Sequence, residues 1–153
     1  MGYRSSVRIV MSKNGYSEFQ KYVEDHNKEY VDKNISKDSI IYSLGHDFNL
    51  LHRLNINKES NKDNLIYIGW DEIKWYDGFE EVDSIMDSLN KLKKNGYGFS
   101  FSRLGESVDD YEEISADYSK KDEVKSIKEP VLVREFDDNS FEIRDKSIER
   151  DER

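Results

Sequence analysis

"LIYIGWDEIKWYDGF", residues 65–79, is the stretch whose reading decides the fold. Its first half is dense in β-branched and aromatic residues, which suit a pleated, half-buried surface, so it reads as a strand. The apolar phase then slips: Ile66, Ile68 and Trp70 are even-numbered, whereas Ile73 and Trp75 are odd. Strand side chains alternate between two faces, so such a slip calls for a bulge near Gly69 or a tight reversal at Asp71-Glu72. Asp-Glu is poor hairpin chemistry, and a bulged strand is the better reading. On this reading Ile68 and Trp70 face one way and Ile73 and Trp75 the other. Trp75, close to the next helix, is assigned to the core. Trp70 is left as the exposed tryptophan, a rigid anchor beside Tyr76 and the charged Asp71 and Glu72.

Upstream, residues 3–11 alternate, with Tyr3, Ser5, Val7, Ile9 and Met11 on one side and Arg4, Ser6 and Arg8 on the other, a half-buried strand. "KNG" at 13–15 reads as the turn that ends it. Tyr16, Phe19, Val23 and Tyr30 form a helical stripe to about Lys33, with Ser17 and Gln20 at capping-box spacing. Ile40, Ile41, Leu44, Phe48, Leu51 and Leu54 repeat at three and four, predicting a second helix, with a strand at "SIIYSL" as the alternative. "NKESNKDN", 57–64, has no apolar residue and reads as a loop.

Downstream, Phe79, Val82, Ile85, Met86, Leu89 and Leu92 make the clearest helical stripe, closed by "KKNG". "YGFSFSRLGE" alternates Tyr97, Phe99 and Phe101 against small residues, and "VDDYEEI", 108–114, is its expected hairpin partner. Residues 115–130 are expected to be a mobile loop, "VLVREF" and "FEIR" a last hairpin, and 146–153 a frayed tail. Residues 1–145 therefore read as a single α+β domain. The expected architecture is an antiparallel sheet with two or three helices on one face, a ferredoxin-like variant with a C-terminal hairpin.

Composition narrows the chemistry. The 153 residues contain no cysteine, which removes disulfides and thiolate catalysis and fits a reducing cytoplasm. No apolar run is long enough for a signal sequence or a membrane span. "MGYRSS" matches the loose myristoylation pattern, but the strand reading uses the same residues for packing. Charge is uneven: up to Leu104 there are 15 Lys and Arg against 16 Asp and Glu, and after it 9 against 17, so the last third holds most of the net −9. An acidic surface repels phosphate, so direct nucleic-acid binding is not expected.

No catalytic constellation emerges. His46 and His52 are six apart and fall on different helical faces, unlike metal ligands at three or four, and His26 stands alone. Asp71, Glu72 and Asp77, or Glu106, Asp109, Asp110, Glu112 and Glu113, offer oxygen ligands but lack an EF-hand's glycine-spaced loop. There is no nucleophile elbow and no phosphate-cradling glycine loop, so neither cofactor nor resident metal is expected. Arg103 and Glu106, extending the aromatic strand, read as a local ion pair or as part of the same surface.

The stretches "MGYRSSVRIVM", "IKWYDGFEEVDSIM" and "FSFSRLGESVDDYEE" resemble, in order, a family of small phage and prophage proteins. Its members open with Met-Gly-Tyr-Arg-Ser, carry Lys-Trp-Tyr-x-Gly-(Tyr/Phe), and follow (Phe/Ile)-x-Arg-(Ile/Leu)-Gly-Glu with an acidic run. The resemblance covers under a third of the chain. It implies a phage or mobile-element source and brings no activity with it.

The functional expectation is a non-enzymatic interaction module acting in the bacterial cytoplasm. It would bind a host or phage protein with a basic surface, inhibiting a defence or nucleic-acid-handling protein. Its contact residues are expected among Trp70, Asp71, Glu72, Tyr76, Arg103, Glu106, Asp109, Asp110, Glu112 and Glu113. The alternatives are a small-ligand or nucleotide-binding module stacking bases on the 97–103 aromatic face, and a metal-dependent hydrolase built on the acidic clusters.

Overall fold

A computed structural model describes residues 2–34, 49–116, 130 and 135–138. The chain runs through β1 (Ser5–Ser12), α1 (Lys13–Asn34), a 3-10 turn (Leu50–Arg53), β2 (Ile56–Ser60), β3 (Leu65–Ile73), α2 (Glu80–Lys94), β4 (Phe99–Leu104) and β5 (Tyr111–Ala116). All pairings are antiparallel, in the order β2-β3-β1-β4-β5. The protein is thus α+β, with a five-stranded antiparallel sheet and two α-helices among the described residues.

β1 is the central strand, and both of its faces are covered. Val7, Ile9 and Met11 join one core cluster with Ile66, Ile68 and Trp70 of β3, Phe99 and Phe101 of β4, Phe19 and Val23 of α1, and Val82, Ile85, Leu89 and Leu92 of α2. On the opposite face, Val10, Leu65 and Tyr67 form a smaller cluster with Ile56 beside it. Arg8 projects into that second face and is itself buried.

The slip in phase has a simple resolution. Val7 faces Trp70 and Ser5 faces Ile73, so two steps along β1 oppose three along β3, and the extra residue lies at Asp71-Glu72. Glu72 takes a left-handed φ of 51° to absorb it. The bulge is therefore not at Gly69, which stays in register opposite Arg8. By inserting one residue it returns Ile73 and Trp75 to the face of Ile68 and Trp70. The expectation that one tryptophan is surface-bound is thereby overturned: Trp70 is 1% exposed and Trp75 is buried beside it, ring centroids 5.6 Å apart. Trp70 Nε1 donates to the Leu50 carbonyl at 2.9 Å, which satisfies its one polar atom and ties the 3-10 turn to β3.

Three boundaries differ from the sequence reading. α1 begins at Lys13, not Tyr16, because Ser12 Oγ accepts from the Gly15 N–H at 2.9 Å and caps the helix directly off β1. "NKES" belongs to β2, an edge strand whose alternating exposure needs no apolar run; only the turn at 61–64 behaves as expected. The C-terminal end of the helix expected over 40–54 is instead the 3-10 turn, with Asn49 Oδ1 accepting from Leu51 N–H and Leu54 extended. Residues 40–48 of that expectation lie outside the described residues. So do 117–129 of the expected mobile loop, both strands of the expected C-terminal hairpin except Glu135 and Phe136, and the tail 146–153.

α2 follows expectation; the hairpin partner of β4 runs over Tyr111–Ala116 instead of 108–114, so Ser115 and Ala116 of the expected mobile loop pair with β4. Glu80, Glu81 and Asp83 occupy the first turn of α2 and Lys91, Lys93 and Lys94 the last, each set complementing the helix dipole. Gly96, at φ 87°, closes the end as Tyr97 N–H donates to the Leu92 carbonyl at 3.0 Å. No helix among the described residues is long and apolar enough to cross a membrane.

Candidate functional site

The ten sequence-predicted residues fall into two neighbouring groups. Trp70, Asp71 and Glu72 line a cleft of about 350 Å³ at the bulged end of β3, with Arg4, Arg53 and Phe79 also in its wall. Trp70 reaches it only from the core beneath. Tyr76 stands outside that lining, edge-on to Phe79 at 5.0 Å, and Phe79 is 40% exposed. The second group is the β4–β5 hairpin, carrying Arg103, Glu106, Asp109, Asp110, Glu112 and Glu113.

Arg4 links the two. Its Nη1 donates to the Glu72 carbonyl at 2.9 Å, and its backbone N–H donates to Glu106 Oε1 at 3.1 Å. A hollow of about 200 Å³ between them is lined by Arg4, Ser5, Glu72, Gly105 and Glu106 among others.

At the hairpin base, Arg103 forks onto Asp110: Nη2 to Oδ1 at 2.7 Å and Nη1 to Oδ2 at 3.1 Å. Its Nε reaches Glu112 Oε1 at 3.1 Å, and Nη1 also donates to Ser5 Oγ at 3.1 Å. Tyr3 Oη donates to Asp110 Oδ2 at 2.6 Å and accepts from the Ser107 N–H at 2.9 Å. The Arg103 hydrogen bond, and next the one from Tyr3, hold the Asp110 carboxyl down at about 2. Gly105 is required here for space, since a Cβ would overlap the Asp110 carboxylate and the Tyr3 hydroxyl. Residues that stand far apart in sequence, in "GYRS", "RLGE" and "DDYEE", thus meet in one network. Its hydrogen bonds fix the base of the hairpin in place.

Beyond that network the hairpin is exposed in an unusual way. Val108 is 75%, Tyr111 41% and Ile114 37% exposed; with Phe79 they make up the large exposed apolar side chains of the described residues. They are interleaved with Asp109, Glu112 and Glu113. Residues 105–116 contain five carboxylates and no Lys or Arg. Tyr111 Oη donates to Glu113 Oε2 at 2.7 Å, laying a carboxylate against the ring.

On the other face of the sheet is a second arginine cluster that sequence reasoning did not single out. Arg8 Nη2 meets Asp71 Oδ1 at 2.8 Å, Nε meets Asp138 Oδ1 at 2.8 Å, and Nη1 donates to the Val7 and Trp70 carbonyls at 3.0 Å. Tyr67 Oη donates to Asp138 Oδ1 at 2.6 Å, and the guanidinium lies 5.1 Å from the Phe136 ring. Burial works against both charges, raising Asp138 and lowering Arg8, but the mutual hydrogen bonds outweigh it and leave Asp138 low and Arg8 high. Burial, then the Asp138 hydrogen bond, push the Tyr67 hydroxyl up. A Cβ on Gly69 would overlap the Val7 carbonyl and the Arg8 side chain, so glycine lets the guanidinium cross β3. The cluster anchors 136–138 to the sheet.

The aromatic-face alternative loses its footing. Phe99 and Phe101 are buried in the helix-covered core, so no aromatic face at 97–103 is open for base stacking. Among the described residues no three His, Cys, Asp or Glu side chains stand close enough together to hold a metal ion. His26 is taken up by Glu80, Nε2 to Oε1 at 2.6 Å.

Fold and site together define an α+β protein that carries an acidic, apolar-studded hairpin on its surface. No protein-family model matches the chain, and no curated protein or solved structure is significantly similar to it.

Proposed function

We propose that this chain is a small interaction module of phage or prophage origin, which binds a basic surface on a host or phage protein through its β4–β5 hairpin. The observation that carries this reading is the exposure of Val108, Tyr111 and Ile114 among Asp109, Glu112 and Glu113. Apolar side chains left in water at one place mark contact surfaces, and the surrounding charge selects and steers the partner. Asp71 and Glu72 extend the acidic surface past Arg4, and the Arg103–Asp110 network holds the hairpin in shape for docking. A defence or nucleic-acid-handling protein of the host, acting in the cytoplasm, is the partner class this charge suits.

The strand order supports a ferredoxin-like variant, with β2-β3-β1-β4 as the core and β5 added at one edge. The shared core cluster of α1 and α2 supports both helices lying on one face.

The test is a pull-down of tagged protein from host lysate at low and high salt, beside a Val108→Ser/Tyr111→Ser/Ile114→Ser variant. One stoichiometric partner with a basic surface, lost at high salt and lost with the variant, is the expected result. Capture that is indifferent to salt would sink the reading.

A further inference from the structure

We infer that the outer edge of β5 is a docking edge for an extended, basic segment of another protein, which joins the sheet as a sixth strand. This rests on the interaction reading above and specifies how the partner is held. β5 is the last strand of the sheet and pairs with β4, and residues 111–115 are exposed. Among the described residues, 112–115 carry no second ladder. An open row of backbone donors and acceptors is a template for strand addition, which proteins ordinarily blunt with charged side chains, proline or a covering loop. "YEEISA" has no proline and no lysine, and its only charges are Glu112 and Glu113, which turn away acidic strands but favour a basic one.

The register states what such a segment looks like. Tyr111, Glu113 and Ser115 oppose Leu104, Ser102 and Ser100 on one face, while Glu112 and Ile114 oppose Arg103 and Phe101 on the other. Along 111–114 the order is apolar, acidic, acidic, apolar. Cross-strand neighbours interact pairwise, so the complementary strand reads apolar, basic, basic, apolar. A second copy of this chain is a poor occupant. Two β5 strands paired antiparallel about residue 112 or residue 113 would set that glutamate directly opposite its own copy, and like charges directly opposite repel.

The test needs no natural partner. A blocked peptide with a Val-Lys-Arg-Val core between threonines is titrated into the full chain, beside the same peptide N-methylated at alternate backbone amides. Both are followed by calorimetry and by amide hydrogen exchange. The expected result is binding of the first peptide with new protection at 112–115. Methylation should weaken binding about tenfold or more, because the charges remain and the ladder does not. Glu113→Lys, with Ile114→Thr as a milder second variant, should weaken it similarly.

Equal binding of the methylated peptide, no protection at 112–115, or a dimer of this chain already protecting those amides would each overturn the inference. The two readings fail separately. A basic partner captured equally well by Glu113→Lys and Ile114→Thr sinks the edge and leaves the interaction module standing. A peptide that docks while no salt-sensitive partner exists does the reverse.

Discussion

Two arginines, one on the central strand and one on its neighbour, solve the same chemical problem in opposite settings. Arg8 and Arg103 each hold two carboxylates and share one of them with a tyrosine hydroxyl, Tyr67 for Arg8 and Tyr3 for Arg103. Arg8 is almost wholly buried, whereas Arg103 keeps part of its side chain in water, as does its partner Glu112. A buried guanidinium is costly to strand without its partners, so the Arg8 cluster locks 136–138 onto the sheet. A cluster whose carboxylates stand partly in water is more screened and weaker in stability terms. What the Arg103 cluster secures is shape: it fixes the hairpin on which exposed apolar and acidic side chains are displayed. Similar carboxylate and tyrosine partners therefore carry unequal energies, and burial separates the cluster that anchors the sheet from the one beside the exposed hairpin.

Breaking the buried cluster should have the largest effect. Arg8→Met leaves Asp138 low in partners under the sheet and should cost about 3 kcal/mol, the lower end for a broken buried pair because Asp71 is partly solvated. Urea denaturation reads this, and Arg8→Lys should rescue little, since a single ammonium cannot reach both carboxylates and two carbonyls. Gly69→Ala attacks the same cluster through space and should cost about 2 kcal/mol by overpacking against the Val7 carbonyl.

Arg103→Gln should cost only about 1 kcal/mol, and it should also change the acid limb of the stability curve. Asp110 stands at about 2 in the fold against an ordinary 3.8. A carboxyl lowered by folding stabilises fully above its unfolded value and loses that contribution as pH falls through its folded one. Urea midpoints measured from pH 5 down to 2 should thus fall less steeply between about pH 4 and 2 in Arg103→Gln than in the native chain. An unchanged slope would show that Asp110 draws nothing from Arg103.

The smallest effect sharpens the contrast from the other side. Ser100 and Ser102 are buried beside the Arg8 face with hydroxyls that find no partner among the described residues. Ser100→Ala should raise stability by about 0.5–1 kcal/mol by removing an unsatisfied polar group, seen as a higher urea midpoint. A loss on that substitution would mean the hydroxyl is satisfied after all.

Much of the fold is legible before any coordinates. The apolar stripe of α2 and the aromatic alternation of β4 carry their own periods and form as read, whereas β1 is a strand as expected but is buried on both faces instead of half-buried, because it is the central strand. β2 is not legible because an edge strand with solvated side chains has no apolar signature. The start of α1 is not legible because "KNG" resembles a turn until Ser12 caps it. In the candidate site, Arg103, Asp110 and Glu112 stand close in sequence and are found together. Tyr3 meets Asp110 across 107 residues and Arg8 meets Asp138 across 130, separations over which no local pattern carries information.

The sequence by itself determined the local periods, the absence of thiol chemistry and the crowding of carboxylates after Leu104, because these depend on residue type and spacing alone. Only the tertiary structure decided where the extra residue of β3 sits, and that brings Trp75 onto the core face that Trp70 occupies. It also decided which carboxylates are consumed by arginine and which remain on the surface with Tyr111 and Ile114. Both outcomes turn on packing between distant strands, where a shift of one residue exchanges the two faces of a sheet.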